Sequence, residues 1–102
     1  MSHWIEVFPL ASIDDEDVKR FDHAGRTFAI YRLGDEAFAT DGVCTHEHVH
    51  LCDGLVMNGV IECPKHNGRF DIRSGRPLGA PVCDKLETYP AMVEGGVVRI
   101  SI

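Results

Sequence analysis

The sequence predicts an all-β protein, a β-sandwich with a small inserted lobe. Short runs rich in β-branched and aromatic residues recur from one end of the chain to the other, and such residues favour strands. Gly, Asn or Pro separates most of these runs, as turns between strands require. Many short strands with frequent turns are typical of a sandwich or barrel. The 102 residues suffice for a single domain over residues 1–102.

The first half of the chain predicts a strand, a helical turn and a hairpin. Trp4–Phe8 alternates polar and apolar residues, as a half-buried strand does. Ser12–Arg20 predicts one short helical turn, because a serine N-cap is followed by acidic residues. Thr27–Leu33 is rich in β-forming residues, and a Gly-Asp pair separates it from Glu36–Thr40. This arrangement predicts a hairpin.

The second half predicts more short strands joined by tight turns. Asn58 and Gly59 lie between Leu55–Met57 and Val60–Glu62. Both turn residues tolerate positive φ angles, so we expect a type I′ hairpin turn. The other predicted strands are Arg69–Ile72, which ends at Ser74-Gly75, and the pair Leu86–Val93 and Val97–Ile102, which flanks Gly95-Gly96.

The charge balance excludes some classes of partner. Sixteen acidic and ten basic residues give a net charge of −6, which argues against nucleic acid or an anionic membrane as the main partner. Met1–Phe8 lacks the basic start and apolar core of a signal peptide. No apolar stretch approaches the roughly 18 residues that a membrane span needs. We therefore expect a soluble, cytoplasmic protein whose cysteines are reduced or bind metal.

Residues 43–83 differ in composition from the rest of the chain. They contain all four cysteines and four of the six histidines. We expect them to form a small metal-binding lobe inserted into the β base domain. Within it, Cys44-Thr45-His46 and Cys63-Pro64-Lys65-His66 each place one cysteine and one histidine in a short loop. An iron–sulfur cluster with two thiolates on one iron and two imidazoles on the other needs this set of ligands.

The main alternative for these four residues is a structural zinc site. Zinc accepts two cysteines and two histidines, but usually from a pair of cysteines in one loop and a pair of histidines in another. Mixed Cys-x-His loops are less usual for zinc. His48 and His50 are further candidates to replace His46 as a ligand, although the spacing favours His46.

The two loops resemble the Rieske [2Fe-2S] motif, Cys-x-His followed by Cys-x-x-His. The resemblance continues through DGVCTHEHVHLCDGLVMNGVIECPKHNGRFDIRSGRPLGAPVC and the strands on both sides. The chain looks most like the small ferredoxins of bacterial multicomponent, ring-hydroxylating oxygenases. The resemblance implies a Rieske-type β-sandwich with one [2Fe-2S] cluster in the inserted lobe. It also implies that Cys44 and Cys63 bind one iron and that His46 and His66 bind the other.

The same resemblance implies an electron carrier and not an enzyme. Such ferredoxins pass single electrons from an NADH-dependent flavoprotein reductase to a terminal oxygenase. The oxygenase and its substrate stay open, and a cytochrome P450 is an alternative acceptor. A Rieske-like small subunit of a nitrite reductase is a second function class, which the four intact ligands argue against. A zinc-stabilised interaction module is a third, and a monomer suits the carrier role.

The neighbours of the ligands predict a low reduction potential. High-potential Rieske proteins have an extra, disulfide-forming cysteine between the Cys and the His of the second motif, where this chain has Pro64-Lys65. They also carry Ser and Tyr hydroxyls that donate to the sulfurs, where this chain has Gly68 and Phe70. Fewer donors leave the sulfurs more electron-rich.

A partner protein is expected to dock on exposed residues around the two loops. This docking rim is predicted to comprise Glu47, His48, Lys65 and Asn67.

The remaining candidate residues have simpler predicted roles. His50 is expected to be a structural hydrogen-bonding residue, and His3 and His23 are expected to be surface residues. Cys52 and Cys83 are predicted to be small buried thiols. The predicted core aromatics are Trp4, Phe28, Tyr31, Phe38 and Phe70.

Overall fold

The computed structural model describes residues 3–45, 48–65, 67–79 and 84–102. The strands in chain order are β1 (Trp4–Pro9), β2 (Asp17–His23), β3 (Arg26–Leu33), β4 (Glu36–Asp41), β5 (Leu55–Met57), β6 (Val60–Glu62), β7 (Arg69–Asp71), β8 (Thr88–Tyr89), β9 (Ala91–Glu94) and β10 (Val97–Ser101). Two three-residue 3-10 turns, Leu10–Ser12 and Leu51–Asp53, are the helical elements of these residues. Neither is long or apolar enough to cross a bilayer. The all-β prediction is confirmed.

The strands form three antiparallel sheets. The first has the order β1-β10-β9, the second β2-β3-β4-β8, and the third β5-β6-β7. The third sheet uses only residues between positions 55 and 71. It therefore lies within the stretch of sequence predicted to be the metal-binding lobe, although the boundaries of that lobe stay a prediction.

Strand β3 is buried on both faces and separates two apolar cores. Successive side chains of a strand point to opposite faces of its sheet. Phe28 and Ile30 accordingly pack in a core with side chains of the first sheet, including Val98. Ala29 and Tyr31 belong to the other core, which includes residues of the third sheet. The second sheet is thus the middle layer between the first sheet and the lobe.

The predicted turn at Asn58 and Gly59 is confirmed. Their φ angles are 53° and 76°, and Met57 pairs with Val60 across the turn. Positive φ at both central residues is the requirement of a type I′ turn. The backbone preferences of Asn58 and Gly59 therefore specify this hairpin.

The predicted helical turn at Ser12–Arg20 is wrong. The Ser12 hydroxyl donates to the Pro9 carbonyl at 2.7 Å and caps no following helix. Glu16 adopts a left-handed φ of 56°, which interrupts any right-handed helix. Its carboxylate accepts a hydrogen bond from the Asn58 amide at 3.0 Å. The chain then enters β2, which pairs with β3 over its full length.

The predicted strand Leu86–Val93 is also wrong as a single element. It divides at Pro90, with β8 in the second sheet and β9 in the first. Proline has no N–H to continue a ladder, so the chain leaves one sheet there and joins the other. Leu86 itself is fully buried outside any strand.

Four of the five predicted core aromatics are buried or partly buried, and Trp4 is not. Phe28, Tyr31 and Phe70 are fully buried, and Phe38 packs against the lobe-side core. Trp4 is 46% exposed. Ile5 and Val7 turn toward the core, so the alternation of β1 directs Trp4 outward.

Candidate metal centre

The two cysteine loops have the same backbone closure. Cys44 follows β4, and its amide donates to the Val49 carbonyl at 3.0 Å. Cys63 follows β6, and its amide donates to the Gly68 carbonyl at 2.6 Å. In both loops the bond joins the cysteine to the residue five positions later. Each cysteine therefore sits at the base of a closed loop, on a backbone fixed by a strand.

Both cysteines are buried in one core. Cys44 is 2% exposed and Cys63 is 1% exposed, and both belong to the lobe-side core that contains Tyr31 and Phe70. Two cysteines from separate loops in a single core fit the requirement for two thiolate ligands to one iron.

The predicted imidazole ligands lie outside the described residues. Positions 46 and 66 fall within the two closed loops, at residues 44–49 and 63–68, but neither side chain belongs to the described ranges. Glu47 and Cys83 also lie outside the described residues. The full set of four ligands therefore stays a prediction, with the two cysteines brought into one core.

The end of β4 is anchored on both sides of the backbone. The Asp41 amide donates to the Glu87 carbonyl at 2.9 Å, and the Gly42 amide donates to the Thr27 carbonyl at 2.9 Å. The Leu51 amide donates to the Gly42 carbonyl at 2.8 Å. These bonds fix the backbone immediately before Cys44.

A buried hydroxyl pair reaches the same strand end from within the core. The Tyr31 and Thr40 hydroxyls lie 2.8 Å apart, and the Thr40 hydroxyl donates to the Asp41 carbonyl at 2.8 Å. A hydroxyl has one proton, so Tyr31 must be the donor to Thr40. Burial raises the pKa of Tyr31 above its ordinary value and keeps that proton in place.

The side chains of Arg26, Asp41 and Tyr89 form a hydrogen-bonded group at the same strand end. The Tyr89 hydroxyl donates to the Asp41 carboxylate at 2.6 Å, and the Arg26 guanidinium donates to the Tyr89 hydroxyl at 2.6 Å. Burial first, and then the adjacent Asp41 carboxylate, raises the pKa of Tyr89 to about 12. Sequence reasoning missed these residues, because their partners are 48 and 63 positions apart and no local pattern connects them.

The first loop is also tied to the segment that follows residues 80–83. The Thr45 hydroxyl donates to the Asp84 carbonyl at 3.1 Å. Sequence reasoning gave Thr45 no role beyond filling the space between two ligands. Its side chain links the first cysteine loop to a third stretch of chain.

The predicted rim residues within the described ranges are exposed. His48, Lys65 and Asn67 all face solvent, and Asn67 has a left-handed φ of 55°. A positive φ is tolerated best by Asn among side-chain-bearing residues. Their role in docking stays a prediction.

The Nδ1 atom of His50 is buried and has no hydrogen-bond partner among the described residues. Because an imidazole has a second nitrogen, the structural hydrogen-bonding role of His50 stays a prediction. The predicted burial of Cys52 is wrong, since this residue is partly exposed. Burial and then Asp53 still raise the pKa of its thiol. His3 and His23 are exposed, as predicted.

Comparison with known proteins agrees with the predicted motif. A family model for the Rieske [2Fe-2S] domain matches residues 3–90. The ferredoxin component of the naphthalene 1,2-dioxygenase system of Pseudomonas aeruginosa is 40% identical over 99 residues, which cover 97% of this chain and 95% of that protein.

Solved structures share the fold. A chain in the complex of reduced oxygenase and oxidized ferredoxin in carbazole 1,9a-dioxygenase superposes with a TM-score of 0.90 at 31% identity, covering 96% of this chain and 92% of that one. Escherichia coli NirD superposes with a TM-score of 0.87 at 23% identity, covering 100% of this chain and 98% of that one. At that identity the likeness to NirD shows the fold alone.

Proposed function

This chain belongs to the Rieske [2Fe-2S] family, and from that premise we propose that it carries single electrons from an NADH-dependent flavoprotein reductase to a terminal oxygenase. It is an electron-transfer component and not an enzyme. The observation that carries the proposal is the pair of buried cysteines, Cys44 and Cys63, at the bases of two closed loops in one core. The single Rieske-type [2Fe-2S] cluster that the family implies supplies one-electron redox chemistry when bound.

We assign the ligands as Cys44 and Cys63 on one iron, and His46 and His66 on the other. Two thiolates balance one third of the charge of two ferric ions, and two sulfides balance the other two thirds, so the oxidised site with its two neutral imidazoles is formally neutral. Reduction then adds one negative charge. A four-thiolate site begins more negative and accepts an electron less readily, which explains why two imidazole ligands raise the potential to roughly −150 to +300 mV.

The described residues support the low end of that range. Phe70 is fully buried in the core that contains both cysteines, and it offers no hydroxyl. Gly68 is buried and offers only backbone. Tyr31 has a hydroxyl in the same core, but its proton is donated to Thr40. Hydrogen bonds to the sulfurs raise the reduction potential. Neither Phe70 nor Tyr31 provides one from its side chain, and Gly68 has no side chain.

The distribution of charge suits docking through the lobe. Residues 43–83 contain four acidic and four basic side chains, so the net charge of −6 comes entirely from the remaining twelve acids and six bases. Long-range repulsion from an acidic partner is therefore weakest at the lobe. His48, Lys65 and Asn67 are exposed there, and we propose that they form the docking rim together with Glu47.

The names of relatives support an oxygenase as the electron acceptor. The naphthalene relative is a component of a dioxygenase system, and the carbazole structure contains an oxygenase together with its ferredoxin. The substrate class of this chain's own oxygenase stays open among ring compounds, and a cytochrome P450 is the alternative acceptor. We propose that the protein is cytoplasmic, because its cysteines suit a reducing compartment. We also propose that it is a monomer, which suits an electron carrier that moves between two partners.

The test combines spectroscopy with a redox titration. We expect a red-brown protein that gives a rhombic EPR signal after dithionite reduction and a midpoint below roughly +100 mV, within the family range. Cys63→Ser should lose the visible absorption, whereas Cys52→Ser, the matched control at a cysteine without a ligand role, should retain it. A colourless protein that binds zinc, or a midpoint above roughly +100 mV, would contradict the proposal.

A second measurement distinguishes the oxygenase role from that of a nitrite reductase subunit. The protein should accept electrons from a flavoprotein ferredoxin reductase and support turnover by a ring-hydroxylating oxygenase. Turnover only with a nitrite reductase would favour the other function.

A further inference from the structure

We infer that the hydroxyl pair Tyr31 and Thr40 positions the end of β4, and with it the loop that carries Cys44. This inference rests on the proposed cluster site, because its importance depends on Cys44 being a ligand. Tyr31 and Thr40 are positioning residues, since neither is proposed to touch the metal.

The chemistry of the pair gives it a direction. The Tyr31 hydroxyl donates to Thr40, and the Thr40 hydroxyl donates to the Asp41 carbonyl. Both side chains are fully buried, so water cannot replace either bond without entering the core. A buried donor that loses its acceptor is costly, whereas removing donor and acceptor together costs much less.

The pair acts at a point where the other bonds of the described residues run between neighbouring backbones. The amides of Asp41 and Gly42 bond to Glu87 and Thr27, and the Gly42 carbonyl accepts from Leu51. The bond from Thr40 reaches the Asp41 carbonyl from within. Three residues later the chain reaches Cys44, so rotation of the peptide after Asp41 would displace the base of the first loop.

The position of Tyr31 couples this anchor to the rest of the site. Its ring packs in the core that contains Cys44, Cys63 and Phe70, while its hydroxyl reaches Thr40. Packing around the two cysteines therefore determines where the hydroxyl lies. The strand end and the core beneath the cluster are linked through one side chain.

Ser101 provides a matched control. Among the described residues, and leaving tyrosine aside, Thr40 and Ser101 are the two buried polar residues. Ser101 lies on β10 in the first sheet, remote in the topology from the two cysteine loops. Ser101→Ala therefore deletes a buried hydroxyl without touching β4.

The experiment compares Thr40→Val, Thr40→Ser, Ser101→Ala and the double variant Tyr31→Phe/Thr40→Val. Two rates are measured under conditions where circular dichroism shows folded protein. They are the hydrogen exchange of the Gly42 and Leu51 amides, and the loss of visible absorption in the presence of a chelator. We expect Thr40→Val to raise both by about tenfold, the factor that corresponds to one buried hydrogen bond of typical strength.

Thr40→Ser keeps the hydroxyl and should restore both rates to within about twofold of the wild type, since the same bonds can form. The double variant should be closer to the wild type than Thr40→Val, because it removes the orphaned Tyr31 hydroxyl. Equal effects of Thr40→Val and Ser101→Ala on both rates would overturn the inference. So would unchanged amide exchange in Thr40→Val.

The outcome is separable from that of the proposed function. A wild-type protein without a cluster would defeat the proposed function, while amide exchange in the metal-free chain would still decide whether the hydroxyl pair holds β4. A wild-type protein with a normal cluster, and a Thr40→Val variant that behaves like Ser101→Ala, would defeat only the inference. If Thr40→Val does not fold, the double variant Tyr31→Phe/Thr40→Val decides, because it still lacks the bond to the Asp41 carbonyl. Faster amide exchange in it than in Ser101→Ala would support the inference, and equal exchange would overturn it.

Discussion

Gly42 and Thr27 approach so closely that only a glycine fits at position 42. The Gly42 amide donates to the Thr27 carbonyl at 2.9 Å, and a Cβ atom on Gly42 would lie 2.6 Å from Thr27 Cγ2 and 3.0 Å from the Phe28 carbonyl carbon. This close approach of the residue after β4 to strand β3 lies two residues before Cys44.

Gly42→Ala should destabilise the fold by about 1–3 kcal/mol, because the added methyl group forces strands apart in a packed region. Chemical denaturation followed by circular dichroism measures the change. Thr27→Ser removes the Cγ2 atom that the methyl group would meet, so the double variant should recover part of the loss. No recovery in the double variant would show that the Phe28 backbone, and not the Thr27 side chain, is the obstacle.

Phe70→Tyr should raise the reduction potential. It places a hydroxyl in the core that contains both cysteines, and a donor near the sulfurs favours the reduced cluster. Potentiometric titration measures the midpoint. Phe28→Tyr is the control, because Phe28 is equally buried but lies in the other core. A shift of similar size in both variants would point to a general loosening of the fold and not to a local donor.

Tyr89 predicts a loss of stability at high pH. Its pKa in the folded protein is raised from about 10 to about 12, so the folded state holds this proton more tightly than the unfolded state does. The resulting stabilisation is fully present below pH 10 and declines as the pH rises from about 10 to about 12. The free energy of unfolding of wild type and Tyr89→Phe should therefore converge over this window. Parallel curves would contradict the assignment.

Lys65→Glu should slow electron transfer with the partner proteins. Lys65 is exposed in the second cysteine loop, and reversing its charge changes the electrostatic complementarity of docking. Stopped-flow reduction by the reductase, at several salt concentrations, measures the association rate. Lys19→Glu is the control with the same change in net charge, because Lys19 lies on β2 with its ammonium 4.6 Å from the centre of the Phe8 ring. An equal effect of both substitutions would mean that net charge, and not the rim, controls docking.

Local signals in the sequence predicted the local parts of the structure. Asn58 and Gly59 specify their own turn, because the φ angles that it needs belong to those two residues. The pattern of two cysteines with two histidines predicted the family, and both cysteines do share a core. The roles of His46 and His66 stay a prediction.

The errors arose where distant residues determine the outcome. Acidic residues after Ser12 suggested the start of a helix, but Glu16 instead takes a left-handed conformation and bonds to Asn58, 42 positions away. A run of β-forming residues suggested one strand where Pro90 divides it between two sheets. The Tyr31 and Thr40 pair has no sequence signature, because it depends on the register of β3 and β4.

The double burial of β3 determines how much of this molecule could be transplanted. One backbone supplies Phe28 and Ile30 to the sandwich and Ala29 and Tyr31 to the core beneath the two cysteines. A chimaera that moved only the two cysteine loops onto a foreign sandwich would lack Ala29 and Tyr31, which pack in the same core as the two cysteines. The smallest portable electron-transfer unit in this chain is therefore the lobe together with its middle strand, a module whose parts are not contiguous in sequence.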